Sequence, residues 1–205
     1  MRMPSIVALP PPPSPNGKEV LVPPTRAAWR AWLESQPERA EGIWVVFRKP
    51  TSSLEGPVYD ELVEEALCFG WIDSLTKRVD DDRTIQWYSP RRKGGIWSAL
   101  NKERIERLTA AGLMHERGLA VIEAAKADGS WSRYDAVEAL LVPPELEEAF
   151  AANPAARAAY EALPPSQKKQ HLWEIYSAKR PEIRAKRIER TVERLAGPSG
   201  GPVSD

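Results

Sequence analysis

Apolar and polar positions alternate along this chain with two distinct periods. Ala28, Trp29, Trp32 and Leu33 fall on one face at helical spacing, and Thr25 stands where an N-cap is needed. Pro37 ends that pattern. Ile43-Trp44-Val45-Val46-Phe47 is continuously β-branched or aromatic, the mark of a buried strand. From Asp60 to Phe69 the period is helical again: Leu62, Val63, Ala66 and Leu67 share a face, Glu61, Glu64 and Glu65 lie outside it, and Gly70 stops the helix. Trp71 to Val79 and Thr84 to Tyr88 read as two strands of a hairpin joined by Asp80-Asp81-Asp82.

Beyond residue 98 only the helical period remains. Ser98 caps a helix to about Ala110, closed by Gly112, and a second runs from His115 to Ala127, closed by Gly129. Pro143-Pro144, Asn153-Pro154, Pro164-Pro165 and Arg180-Pro181 each open a further helix, because proline is tolerated in a first turn. The pattern predicts an α+β fold, with a small antiparallel sheet and helices in the N-terminal half and a helical C-terminal half. Residues 1–24 hold eight of the twenty prolines and read as a disordered leader. Residues 25–142 then form an α+β domain, 143–196 a helical region, and 197–205 a disordered tail.

Composition narrows the class. The chain has 29 basic and 29 acidic residues, which argues against coating nucleic acid by bulk charge. The balance is uneven, however. Residues 55–82 carry nine acids and two bases, 91–107 six bases and two acids, and 166–195 nine bases and four acids. Such segments either neutralise one another in the fold or leave a basic face for an anionic partner. Cys68 is the single cysteine, so no disulfide can form within the chain, which suits a reducing compartment. Ile6 to Leu9 gives only four apolar residues before the prolines, too few for a secretory signal, and no apolar run is long enough to span a membrane. The expected location is cytoplasmic. His115 and His171 are far apart and no metal-site spacing occurs, so no metal and no cofactor is expected.

Three segments carry a resemblance. The first is Tyr59-Asp60-Glu61-Leu62-Val63-Glu64-Glu65-Ala66-Leu67-Cys68-Phe69-Gly70-Trp71-Ile72-Asp73-Ser74. The second is Tyr88-Ser89-Pro90-Arg91-Arg92-Lys93-Gly94-Gly95-Ile96-Trp97-Ser98, continuing to Asn101. The third runs from Pro165-Ser166 through Ala178-Lys179-Arg180-Pro181-Glu182 to Glu193. In that order they resemble the signature stretches of the YdeI/OmpD-associated, bacteriocin-protection family, over roughly residues 26–196. The resemblance implies a small protective or stress-resistance protein with no agreed reaction, cofactor or catalytic residue set. The family's name links it to bacteriocin protection and to an outer-membrane porin, and some descriptions of the family suggest a periplasmic setting, from which this chain is expected to depart because it shows no export signal.

The strongest candidate site is the loop Ser89 to Ser98. Arg91, Arg92 and Lys93 stand beside Gly94-Gly95, where backbone N–H groups can approach a ligand, and a helix N-terminus follows at Ser98. Arginine can grip a carboxylate or phosphate with two bonds. Trp87 and Trp97 could supply a stacking wall, and Asp73, Ser89 and Asn101 complete the set of expected ligand-binding residues. The spacing is not that of a P-loop. The competing reading pairs the basic loop with Asp80–Asp82 across the hairpin. Asp73 could be an acid held by Arg91 or Arg92, or a general base, though an aspartate alone defines no catalysis. Cys68 and His171 read as packing residues.

Three functions follow. The first is binding of an anionic small molecule or protein partner through the basic-aromatic loop. The second is nucleic-acid binding through Lys168, Lys169, Lys179, Arg180, Arg184, Lys186, Arg187, Arg190 and Arg194 of the last helices. The third is an enzyme using Asp73 with the Arg91–Lys93 loop. No catalytic motif is present, and the sequence says nothing of oligomeric state.

Overall fold

A computed structural model describes residues 11–36 and 41–197 of the chain. Pro37, the first ten residues of the leader and the tail from residue 198 lie outside the described residues. The fold is α+β, and the chain divides into two compact units, residues 1–131 and 132–205, where the sequence pattern put a boundary at 142/143.

The first unit is built on a sheet of four strands in the order β1-β2-β4-β3. β2 (Ile43–Arg48) and β3 (Trp71–Arg78) both run antiparallel to β4 (Arg83–Pro90). β1 (Val20–Leu21) is parallel to β2, with Val20 opposite Trp44, so the sheet is mixed and not purely antiparallel. These two residues lie inside the stretch read as leader. They are held there because Val20 and the nearby Val22 pack on the cluster of Trp44, Val46 and Ile85, and because Asn16 Oδ1 accepts a 2.9 Å hydrogen bond from Trp44 Nε1.

The opposite face of the sheet carries the main core. Ile43, Val45 and Phe47 of β2 and Tyr88 of β4 point there, against α1 (Arg26–Ser35) and α2 (Tyr59–Cys68). Thr25 caps α1 as its position predicts, its side chain accepting from the Ala28 N–H. Trp29 is fully buried, and its indole N–H finds the Leu62 carbonyl at 3.0 Å, which removes the cost of hiding a donor. α3 (Ala99–Ala110) and α4 (Glu116–Ala127) close the unit.

Glu64 and Glu65 depart from expectation. Helical periodicity puts them outside, yet Glu65 is only 4% exposed. α1 lays Arg26 and Arg30 over them, with Arg26 Nε 2.6 Å and Arg30 Nη1 2.7 Å from Glu65, and α3 brings Arg107 to Glu64 at 2.5 Å. The acids are buried because each has a counter-charge.

The Asp80–Asp82 turn also settles one question. Asp80 pairs with Arg83 at 2.7 Å and accepts the backbone N–H groups of Asp82 and Arg83, while Asp81 pairs with Arg78. These ion pairs lie within the hairpin and do not involve the Arg91–Lys93 loop.

The second unit is helical: α5 (Asp135–Glu138), α6 (Pro144–Ala152), α7 (Pro154–Ala162), α8 (Pro165–Tyr176) and α9 (Pro181–Ala196). Leu146, Phe150, Tyr160, Leu172, Ile175 and Ile188 fill its core. Each of the last four helices begins with a proline in its first turn, as the sequence predicts. Asn153 alone joins α6 to α7, closing the first through its backbone N–H and capping the second through its side chain.

Candidate functional site

The site begins where α2 ends. Gly70 has φ +75°, a conformation that turns the chain out of the helix into β3, and a Cβ there would lie 2.8 Å from Val121 of α4. Its carbonyl accepts from the Arg91 N–H at 2.9 Å, which fixes the point at which β4 becomes loop. The loop then folds on itself: Gly95 N–H donates to the Arg92 carbonyl, Gly94 takes φ +74°, and Ser98 caps α3.

Arg91 turns back into this loop. Its Nη1 donates to the Ile96 carbonyl at 3.1 Å, and its guanidinium lies 3.5 Å from the ring centre of Trp97. Trp97 is 3% exposed and packs on Trp131, ring centres 5.0 Å apart. Lys102 and Lys126 approach the other ring of that pair, at 5.3 and 5.8 Å. Facing the loop is the last part of α4. Together, Arg91, Arg92, Lys93, Gly94 and Trp97 on one side and Val121, Ala124, Ala125, Ala127, Asp128 and Ser130 on the other enclose a cavity of about 520 Å³. Its walls are mainly apolar, with three bases against one acid.

The electrostatics centre on Arg91. Burial pulls its pKa down from 12.5 to about 10, opposed by the field of Asp73, so the group stays charged at neutral pH. Yet Nε and Nη2 are buried with no hydrogen-bond partner. A buried donor left unmade costs about 1–3 kcal/mol, and more for a charged group. Such a group at a cavity wall calls for an explanation.

Asp73 sits nearby but is engaged elsewhere. Its Oδ2 accepts from Tyr59 Oη at 2.9 Å and Gln86 Nε2 at 3.0 Å, not from Arg91 or Arg92 as the sequence allowed. Tyr59 is pushed up to about 12, first by burial and then by Asp73. Tyr88, directly opposite Asp73 in the sheet, has a buried hydroxyl with no partner.

Of the nine expected ligand-binding residues, the fold gathers Arg91, Arg92, Lys93, Gly94 and Trp97 along one wall. Asn101 lies on α3, where its Oδ1 accepts from Arg104. Trp87 and Ser89 alternate with Tyr88 along β4 and so face the other side of the sheet; Trp87 packs edge-on against Trp44 there. The sequence reading did not identify the α4 wall. The signal available was the run of small residues Gly118, Ala120, Ala124, Ala125 and Ala127. A Cβ at Gly118 would meet the Cys68 carbonyl oxygen at 2.2 Å, so α4 rides directly on the end of α2.

In the second unit several of the bases already have acids or carbonyls. Lys169 pairs with Glu138, Arg184 with Glu145 at 3.0 Å and Arg194 with Glu174 at 2.7 Å. Arg187 bonds Ser177 and the Glu174 carbonyl, and Lys168 the Glu161 carbonyl. Among the described residues, no helix is long and apolar enough to cross a membrane, and no three metal-donor side chains converge.

Residues 139–197 match the model of the family described as Bacteriocin-protection, YdeI or OmpD-Associated. Residues 21–121 match a different model, described as Domain of unknown function (DUF8412). The segment Pro165 to Glu193 falls in the first match, and Tyr59 to Ser74 and Tyr88 to Asn101 in the second. No curated protein and no solved structure matches the chain.

Proposed function

We propose that this chain, whose residues 139–197 match the YdeI/OmpD-associated family model, is a bacteriocin-protection-type protein of unspecified activity, and that its first unit works by binding a small anion between the loop 91–97 and α4. One observation carries this: Arg91, a charged group closed into a cavity wall, stacks on Trp97 and keeps two donors without a protein partner. The charge of the loop is not spent on the Asp80–Asp82 turn, whose ion pairs are local. The apolar walls supply area for a ligand body, and the basic groups are few and on one side, as the polar groups of small-molecule sites generally are few. The same proposal places the action in the cytoplasm, in keeping with a single cysteine.

The test is titration of the full chain with benzoate, phenyl phosphate and inorganic phosphate at low salt, followed by tryptophan emission. Saturable binding of at least one anion, lost in Arg91→Gln, is the expected result. Anion binding undiminished in that variant, or none at all, would overturn the proposal.

A further inference from the structure

The two unpartnered nitrogens of Arg91 are Nε and Nη2, while Nη1 is taken by the Ile96 carbonyl. Nε and Nη2 form the side edge of a guanidinium, where two N–H bonds run parallel at the spacing of the two oxygens of a carboxylate. Taking the anion site above as given, we infer that its ligand is a monocarboxylate with a flat apolar body, its carboxylate gripped by that edge of Arg91.

Three features select this class over a phosphate. First, Arg91 is the only one of the three bases that is not exposed; Arg92 and Lys93 stand in solvent, where their attraction is screened. One buried positive charge matches one negative charge. Second, the facing wall is the C-terminal end of α4, the negative pole of a helix worth roughly half an elementary charge, followed by Asp128. That end opposes a dianion more than a monoanion. Third, the edge of Trp97 together with Val121, Ala124 and Ala125 makes the lining mainly apolar, which suits an aryl or indolyl body more than a hydrated sugar.

In this structure the edge of Arg91 is closed to solvent. Entry therefore requires the neighbouring segment to yield. The Arg92–Gly95 turn lines the same cavity, is exposed at Arg92 and Lys93 and carries two glycines, and the movement is assigned to it. Binding and a shift of this turn are one event.

The test compares benzoate and indole-3-acetate with phenyl phosphate and with benzamide, by calorimetry on the full chain. Arg91→Lys keeps the charge and loses the parallel pair, and Ala124→Phe narrows the cavity without touching a charge; thermal unfolding checks that both fold. The carboxylates should bind best, weakening roughly tenfold to a hundredfold in Arg91→Lys, as loss of a charged hydrogen bond predicts. They should bind Ala124→Phe more weakly than the wild type. Phenyl phosphate binding tighter than both carboxylates would overturn the carboxylate assignment and leave the anion site standing. Benzamide binding as well as benzoate would overturn both. Equal affinity in wild type and Arg91→Lys would show that charge alone, and not the edge, recognises the ligand.

Discussion

Gly118→Ala isolates the contact that positions the cavity's far wall. Helix propensity alone favours alanine over glycine by about 1 kcal/mol in a helix interior. The structure predicts the opposite sign. The added Cβ would stand 2.2 Å from the Cys68 carbonyl oxygen, 2.7 Å from its carbonyl carbon and 3.0 Å from the Leu67 oxygen. All three are backbone atoms at the end of α2, so none can swing aside as a side chain would. Relieving them means lifting α4 by about 1 Å, which also loosens Val121 from Gly70. Overpacking of this kind costs typically about 1–3 kcal/mol and occasionally more; rigid backbone places it at the upper end, so about 2 kcal/mol of net destabilisation remains after the propensity gain. Seven of the eight tryptophans lie in the first unit, leaving Trp173 in the second, so tryptophan emission under urea follows mainly the unit that is perturbed. With a urea dependence of about 1–3 kcal/mol per molar, the midpoint should fall by roughly 1 M. A midpoint that stays or rises would refute the close crossing.

Cys68 should be unreactive toward a disulfide probe at pH 8 in the folded chain, because burial, then Glu65, pushes its thiol up to about 11; rapid labelling without denaturant would contradict this. Because that folded value is raised, its contribution to stability is complete below the unfolded thiol value of about 9 and is lost as pH climbs toward 11, a loss that Cys68→Ala should reduce. His171 is lowered, first by burial and then by Arg194, so its contribution is present above the unfolded value of about 6.5 and declines as pH falls below it. Helical signal from the wild type should thus melt earlier at pH 5 than at pH 7 by a margin that His171→Asn reduces; an identical margin in the variant would exclude the histidine as its source. Asn16→Ala strips the 2.9 Å partner from the indole N–H of Trp44, which is 1% exposed, and should destabilise the first unit by about 1–3 kcal/mol in urea melts. No change would mean that the segment before β1 does not hold the sheet.

Much of the architecture was legible because local chemistry marks it. Thr25, Ser98 and Asn153 cap helices through their side chains, and prolines stand in the first turns of α6 to α9. Those signals act within a few residues. What escaped the sequence acts across the fold. Val20 and Leu21 form a strand only because Trp44 and Val45 are beside them. Glu64 and Glu65 are buried only because arginines arrive from α1 and α3. Trp87 and Tyr88 had to face opposite sides of the sheet, but nothing in their order says which side meets the loop. Likewise the basic loop was visible as chemistry, whereas its partner wall lies about thirty residues downstream and is half alanine.

The joint at Asn153 sets a different kind of limit. A single residue closes one helix and opens the next, so inserting or deleting one there would turn α7 by about 100° relative to α6. Ala156 and Tyr160, both in the core, would then face outward. At this corner the length of the chain is as strictly determined as its residues, and change there must come by substitution. The turns between Lys49 and Val58 are pinned at their ends, where the Arg48 N–H and Nε donate to the Pro57 and Gly56 carbonyls, so growth of the chain would be accommodated between those points.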